Sequence, residues 1–337
     1  MPDATLAVDL PTAAGIAPGD ALSLVRAARD WGYEACWTSE VQGPDAFTML
    51  GALAATADFE LGVAVVPVQT RTPMVLGMTA VTLAQLTGGR FTLGIGASSE
   101  VIVERWAGQP FDAPLVHVRE TVEALRPILR GERSKFEGRY VRVGGFKPHA
   151  APPAAVPLFL GSLNRRSLRQ AGELGDGVCL NQLAPRHVPA LLEHVRDGAG
   201  AAGRELRFGA GPDRFGVMAR LFCAVTDDVP AARQVVKTIF GPYLATAVYN
   251  RYYRSIGYEE EAEAVAAAAA RGDREGIVAG MSDRLVDDCF VLGGPREVAE
   301  KVRAYVDNGV TTVSIAVLNP DPDGAVTTLR AIAEGWA

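Results

Sequence analysis

The chain has 337 residues, 48% hydrophobic and 21% charged, with 36 glycines and 21 prolines, a composition that excludes collagen, coiled coil and disorder and leaves ample material for a large core. Its 33 basic and 39 acidic residues leave a net charge of −6 with no basic run, so the counterion-releasing surface that a nucleic acid needs is missing. The longest apolar runs, such as Leu61 to Val68, fall far short of the ~20 residues that span a bilayer.

Short β-rich runs alternate with amphipathic helical ones along the chain, the pattern of a parallel sheet with helical crossovers. Strands are predicted at Thr5 to Leu10, Ala35 to Thr38, Glu60 to Pro67, Phe91 to Ile95, Pro157 to Leu160, Gly177 to Asn181, Phe215 to Val225 and Thr311 to Val317. Between them, helices are predicted at Ala21 to Trp31, Phe47 to Ala57, Met74 to Leu86, Val118 to Leu129, Ser167 to Leu174, His187 to Ala201 and Pro295 to Asn308. Strands such as Leu61-Gly62-Val63-Ala64-Val65-Val66 are apolar throughout and so need cover on both faces. The expected fold is α/β, a (β/α)8 TIM barrel in a single domain over residues 1–337.

Two crossovers are too long for one helix and read as insertions. The fourth, Glu100 to Val156, contains Trp106, Phe111 and a Gly138/Gly144/Gly145 loop. The seventh, Pro242 to Phe290, contains Tyr243, Tyr249, Tyr252, Tyr253 and Tyr258 and an Ala-rich helix, Val265 to Ala270. Cys36, Cys179, Cys223 and Cys289 sit in or beside apolar stretches with no C-x-x-C pair, as buried thiols of a reducing compartment do. The N-terminal Met1-Pro2-Asp3-Ala4 lacks the pattern of a secretory signal. A cytoplasmic protein is expected.

In such a barrel, chemistry sits on the loops that follow the strands. Here those loops are Ser39 to Asp45, Val68 to Pro73, Gly96 to Glu100, Gly161 to Asn164, and Gln182. The four histidines, at 117, 149, 187 and 194, form no metal-binding spacing. No lysine directly follows a strand, which disfavours a Schiff base. Gly94-Ile95-Gly96-Ala97-Ser98-Ser99 begins like a dinucleotide fingerprint but lacks its third glycine; its small residues suit either a tight turn or the close approach of a flat ring. Gly161-Ser162, followed by Arg165, Arg166 and Arg169, reads as an anion site or as an ordinary solvated helix face.

Five pieces in order carry a resemblance: Gly32 to Glu40, Leu61 to Pro67 with Thr70 to Pro73, Leu86 to Ala97, Gly172 to Val178, and Gly293-Gly294-Pro295. Together they resemble the bacterial-luciferase-like monooxygenase superfamily, and within it the oxidoreductases that use the deazaflavin coenzyme F420. The resemblance implies a flavin or deazaflavin ring at the barrel mouth, backed by a strand-three bulge whose non-prolyl cis peptide falls at Ala64-Val65. It places Glu40 at the polar edge of the ring, Ala97 and Ser98 beside it, and Gly161, Ser162 and Leu163 near the phosphate, with Asn181 and Gln182 completing the anion pocket. Many members carry a His after the strand-two acid; this chain has Val41. Glu40 is then the best-placed carboxyl for a proton or hydrogen-bond role, with Glu100 second, and an ion pair within the mouth is its structural alternative. The expected activity is hydride transfer between F420 and a small organic substrate. Its alternatives are an FMN-dependent monooxygenase, a non-catalytic flavin-binding barrel, suggested by Val41, and, more remotely, a cofactor-free lyase or isomerase. The resemblance also brings a homodimer.

Overall fold

Eight parallel strands close on themselves, as the covered apolar runs require. They are β1 (Thr5–Asp9), β2 (Ala35–Thr38), β3 (Glu60–Pro67), β4 (Phe91–Gly96), β7 (Leu158–Gly161), β8 (Gly177–Asn181), β9 (Gly216–Val225) and β11 (Thr312–Val317), and the ring is shut by β8 pairing with β9 and β11 with β1. Each lies within one residue of its predicted ends. Three further strands are short: β5 (Ser134–Glu137) and β6 (Arg142–Phe146) form an antiparallel hairpin, and β10 (Val291–Gly293) pairs with the last residues of β9. This computed structural model describes residues 4–211 and 213–336; Met1 to Asp3, read above for a secretory signal, lie outside them.

The helices are α1 (Pro18–Asp30), α2 (Ala46–Ala54), α3 (Pro73–Leu86), α4 (Pro114–Leu129), α5 (Arg165–Leu174), α6 (Val188–Ala201), α7 (Val229–Leu244), α8 (Ala247–Ser255), α9 (Glu259–Ala270), α10 (Arg274–Gly280), α11 (Asp283–Cys289), α12 (Pro295–Asp307) and α13 (Pro322–Trp336). Local chemistry sets their ends. Proline opens α1, α3 and α4, and the Asp45 carboxylate caps α2 by accepting from the Thr48 amide at 2.7 Å.

The barrel interior is filled by an aromatic layer seated on glycines. Trp37 and Phe159 meet with ring centroids 5.9 Å apart, among Ala7, Ala35, Cys179 and Met218. A Cβ added at Gly62 lies 2.4 Å from the Trp37 ring, and one at Gly177 or Gly216 lies 2.5 or 2.1 Å from Phe159. These strands lack side chains where the two large rings need the space. Above this layer β3 bulges between Val63 and Val66, and the Ala64-Val65 peptide is cis. Val65 is enclosed in the same way, with a Cβ at Gly96 or Gly161 falling 2.8 or 3.0 Å from its methyl groups.

Both insertions differ in detail from expectation. In the fourth crossover a π-helical turn (Val101–Trp106) precedes α4, and the predicted glycine loop is the β5–β6 hairpin. Buried Glu120 builds it by accepting the amides of Arg139, Tyr140 and Val141 at 2.7–3.0 Å. A run broken by Gly138, Gly144 and Gly145 does not show this in its own alternation. In the seventh crossover α7 begins at Val229, well before Pro242, and runs through that proline. Tyr252, Tyr253 and Tyr258 are fully buried and pin the insertion down rather than lining a pocket.

Gly216→Ala is expected to destabilise the protein by about 1–3 kcal/mol, the ordinary cost of overpacking a core, read as a lower urea midpoint. Adding Phe159→Leu recovers most of the loss, and a fully additive double variant contradicts this packing.

Candidate active site

At the C-terminal ends of the strands a cavity of about 2040 Å³ opens above Val65. Inward parity along each strand, broken on β3 by its bulge, decides what reaches it: Asp9 from β1, Ala64 and Val65 from β3, Gly96 from β4, Gly161 from β7, Asn181 from β8 and Arg220 from β9. Apart from Asp9 and Arg220, these were singled out in the sequence or flank residues that were. The cavity also borders Glu40, Ala97, Ser98, Ser162, Leu163 and Gln182. Glu100 and Arg169 do not reach the cavity: Glu100 is exposed outside its lining, and Arg169 turns to Asp197, donating to Oδ2 at 3.1 Å.

Asp9 and Arg220 escaped the sequence reading. The Arg220 guanidinium donates to Asp9 Oδ1 at 2.7 Å, with the two side chains 12% and 2% exposed. Asp9 Oδ2, Arg220 Nε, Asn181 Oδ1 and Ser314 Oγ are buried without a hydrogen-bond partner. Desolvation raises the Asp9 carboxyl above the usual carboxylate range despite the opposing pull of Arg220 and, after it, of the nearby Ser314 hydroxyl. Two unpaired atoms of the ion pair itself and two more beside it form a built but incomplete polar site. The available signal was a lone charge at inward parity inside an apolar strand, as in Leu6-Ala7-Val8-Asp9 and Met218-Ala219-Arg220-Leu221.

Glu40 stands at the rim. Both of its carboxylate oxygens accept from Arg71, at 3.0 and 2.7 Å, and Arg71 also pairs with Asp45 and lies 4.9 Å over the Phe47 ring. Of the two roles left open for Glu40, the geometry displays the ion pair. Hydrogen bonds and charge from Glu40 chiefly, then Asp45, hold the Arg71 guanidinium more firmly protonated than usual.

On the β7 side, Ser162 is committed to the protein. Its amide donates to the Cys179 carbonyl at 3.1 Å and its hydroxyl to the Ser167 carbonyl at 3.0 Å. Helix α5 starts at Arg165, and Ser167 Oγ accepts from the Asn164 amide at 3.2 Å. Arg165, Arg166 and Arg251 line this side, and among the described residues none of the three has a carboxylate within 4 Å. Ser98, two residues after β4, and Gln182, directly after β8, take left-handed φ values of 61° and 52°, uncommon for residues other than glycine and concentrated at functional sites. The Tyr253 hydroxyl holds Gln182 Oε1 at 2.9 Å.

Burial pushes all four cysteine thiols up, so none is a ready thiolate. His187 accepts the Ala184 amide and is pushed down to about 4 by burial and by Arg186. Among the described residues no three His, Cys, Asp or Glu side chains gather as metal ligands, and no helix is long and apolar enough to cross a membrane.

Comparison with known proteins gives the family and the fold. The family model for luciferase-like monooxygenases matches residues 5–312. The 5,10-methylenetetrahydromethanopterin reductase of Archaeoglobus fulgidus is 29% identical over 296 residues, 86% of each chain. The F420-dependent glucose-6-phosphate dehydrogenase of Nakamurella multipartita is 26% identical over 87% of this chain and 84% of its own. Among solved structures, the coenzyme F420-dependent tetrahydromethanopterin reductase of Methanopyrus kandleri superposes with a TM-score of 0.78 at 23% identity, over 98% of this chain and 97% of that one.

The buried pair makes a signed prediction. A raised folded-state pKa means that the stability Asp9 contributes is complete below its unfolded value of about 3.9 and is lost as pH rises through the folded value. Chemical denaturation at a series of pH values is expected to show the wild type losing ground to Asp9→Asn across that window. A difference independent of pH contradicts the assignment. Arg220→Met, which strands the buried carboxyl, is expected to cost about 3–5 kcal/mol near neutral pH.

Proposed function

The chain belongs to the luciferase-like monooxygenase family, its model spanning residues 5–312, and on that premise we propose that it is an F420-dependent oxidoreductase moving a hydride between the deazaflavin and a small organic substrate. One observation carries the reading: the cavity combines a small-residue floor, Val65 among Gly94, Gly96 and Gly161, with uncompensated arginines at one side and an incomplete buried polar site at the bottom. A flat ring, an anionic tail and a reacting group each find a matching surface there. The F420-dependent glucose-6-phosphate dehydrogenase of Nakamurella, similar over 87% of this chain, supports it.

When bound, reduced F420 supplies the hydride. The protein's part is to bind, orient and hold a proton. Val65 and Ala64 back the ring, and Ala97 and Ser98 flank it, where bulkier side chains would keep it out. Leu163 and the first turn of α5, with Arg165, Arg166 and Arg251, take the phosphate-bearing tail. Gly161 and Ser162 shape that turn, since the Ser162 amide and hydroxyl proton are already in use. Glu40 is a positioning residue at the ring's polar edge, its carboxylate clamped by Arg71.

Asp9 is the group best suited to hold the proton. It lies in the cavity lining, its Oδ2 has no partner, and desolvation favours the protonated form. Arg220, 2.7 Å from Oδ1, stabilises the carboxylate left after the proton departs. Asn181 and Ser314 offer further polar contacts beside it.

The same reading brings a single domain, a cytoplasmic location and a homodimer. The four free thiols accord with a reducing compartment. Met74 and Met78, both 42% exposed one turn apart on α3, offer an apolar face to a second copy.

Fluorescence titration of the purified protein is expected to show tight F420 binding, weakened more than tenfold by Arg166→Glu. Tight FMN binding with no response to F420 rejects the reading. Asp9→Asn is expected to lower kcat by about 10²–10⁴ with F420 affinity retained; unchanged turnover removes Asp9 from the reaction.

A further inference from the structure

Nine large hydrophobic side chains are exposed among the described residues, and six of them, Val41, Trp106, Val116, Val235, Ile239 and Tyr243, border the cavity. Exposed apolar surface is ordinarily scattered; gathered at one rim it marks a binding surface. Val235, Ile239 and Tyr243 recur every four residues on α7, which puts them on one face of the helix, 46%, 46% and 37% exposed. From the fourth crossover, Trp106 ends the π-helical turn and Val116 lies in the first turn of α4, 54% and 41% exposed. The α7 face connects to the floor: the Tyr243 and Tyr249 rings meet edge-on at 5.6 Å, and the Tyr249 hydroxyl accepts from Asn181 at 3.4 Å.

Size and charge point the same way. A drug-sized ligand fills about 300–1,000 Å³, so a cavity of about 2040 Å³ has room for a second molecule beside a cofactor. The unpaired arginines lie at α5 and α8, whereas the α7 residues that border the cavity are Val235, Ile239, Phe240, Pro242 and Tyr243, without a charged group among them.

We propose that the α7 face is an apolar substrate subsite, so that the substrate is an uncharged molecule with an extended apolar body rather than a sugar phosphate or other anion. This rests on the reading that the cavity is the active site.

The test is calorimetric binding of a homologous series of alkan-2-ones, butanone to dodecanone, to the full-length protein with and without F420. Affinity is expected to rise about fourfold per methylene. Ile239→Asp and Val235→Asp, at exposed positions, are expected to flatten that rise for the longer ketones while F420 affinity, set at β3 and α5, is retained. Three results overturn the proposal: affinity independent of chain length, the same slope in both variants, or glucose 6-phosphate binding more tightly than every ketone. Sedimentation showing a dimer that Ile239→Asp dissociates also overturns it, because the face is then covered by a second copy. Long ketones bound by a protein indifferent to F420 contradict the cofactor reading alone; F420 bound tightly with no chain-length effect contradicts the subsite alone.

Discussion

The site depends on how the barrel interior is filled. Two large rings, Trp37 and Phe159, occupy the middle of the cylinder because Gly62, Gly177 and Gly216 leave them space. This closes the barrel to solvent from below and sets the height at which the mouth begins. One layer higher the rule is repeated with a smaller side chain, Val65, ringed by Gly96 and Gly161. Glycine costs entropy in a strand, roughly 0.5–1 kcal/mol relative to alanine, and here that cost is offset by dense packing of large apolar groups. The result is a low, smooth floor with open space above it.

Charge is arranged on that floor in two different ways. Asp9 and Arg220 are nearly inaccessible and close to each other, so each makes the other tolerable, while the polar atoms around them stay unpaired. Glu40, Arg71 and Asp45 form a half-exposed network at the rim, where their pairing fixes the loops after β2 and β3. The deep pair is suited to proton chemistry and the rim network to shape. Among the described residues that border the cavity, the arginines without a carboxylate partner are Arg165 and Arg166 on α5 and Arg251 on α8.

Much of this was legible in the sequence. The eight barrel strands could be placed to within a residue because continuous apolar runs such as Leu61 to Val66 have few other uses, and the loops after them could be ranked by fold geometry alone. The residues drawn from the family resemblance, Glu40, Ala64, Val65, Ala97, Ser98, Gly161, Ser162, Leu163 and Asn181, all border the one cavity. Asp9 and Arg220 were not seen because a single charge in a short apolar strand looks like a strand end until parity and closure are known. The β5–β6 hairpin was hidden because Glu120, on a helix, supplies the hydrogen bonds that shape its turn. Ser162 was offered as an anion donor from its place before a helix, but the strand ladder continues one residue farther than expected and takes its amide.

The most direct measurement is a crystal structure of the protein with F420 bound. The account predicts the deazaflavin ring in van der Waals contact with Val65, its phosphate-bearing tail at Arg165 and Arg166, and its reacting face open toward Asp9. A ring bound away from β3, or a tail directed to the α7 side, contradicts it.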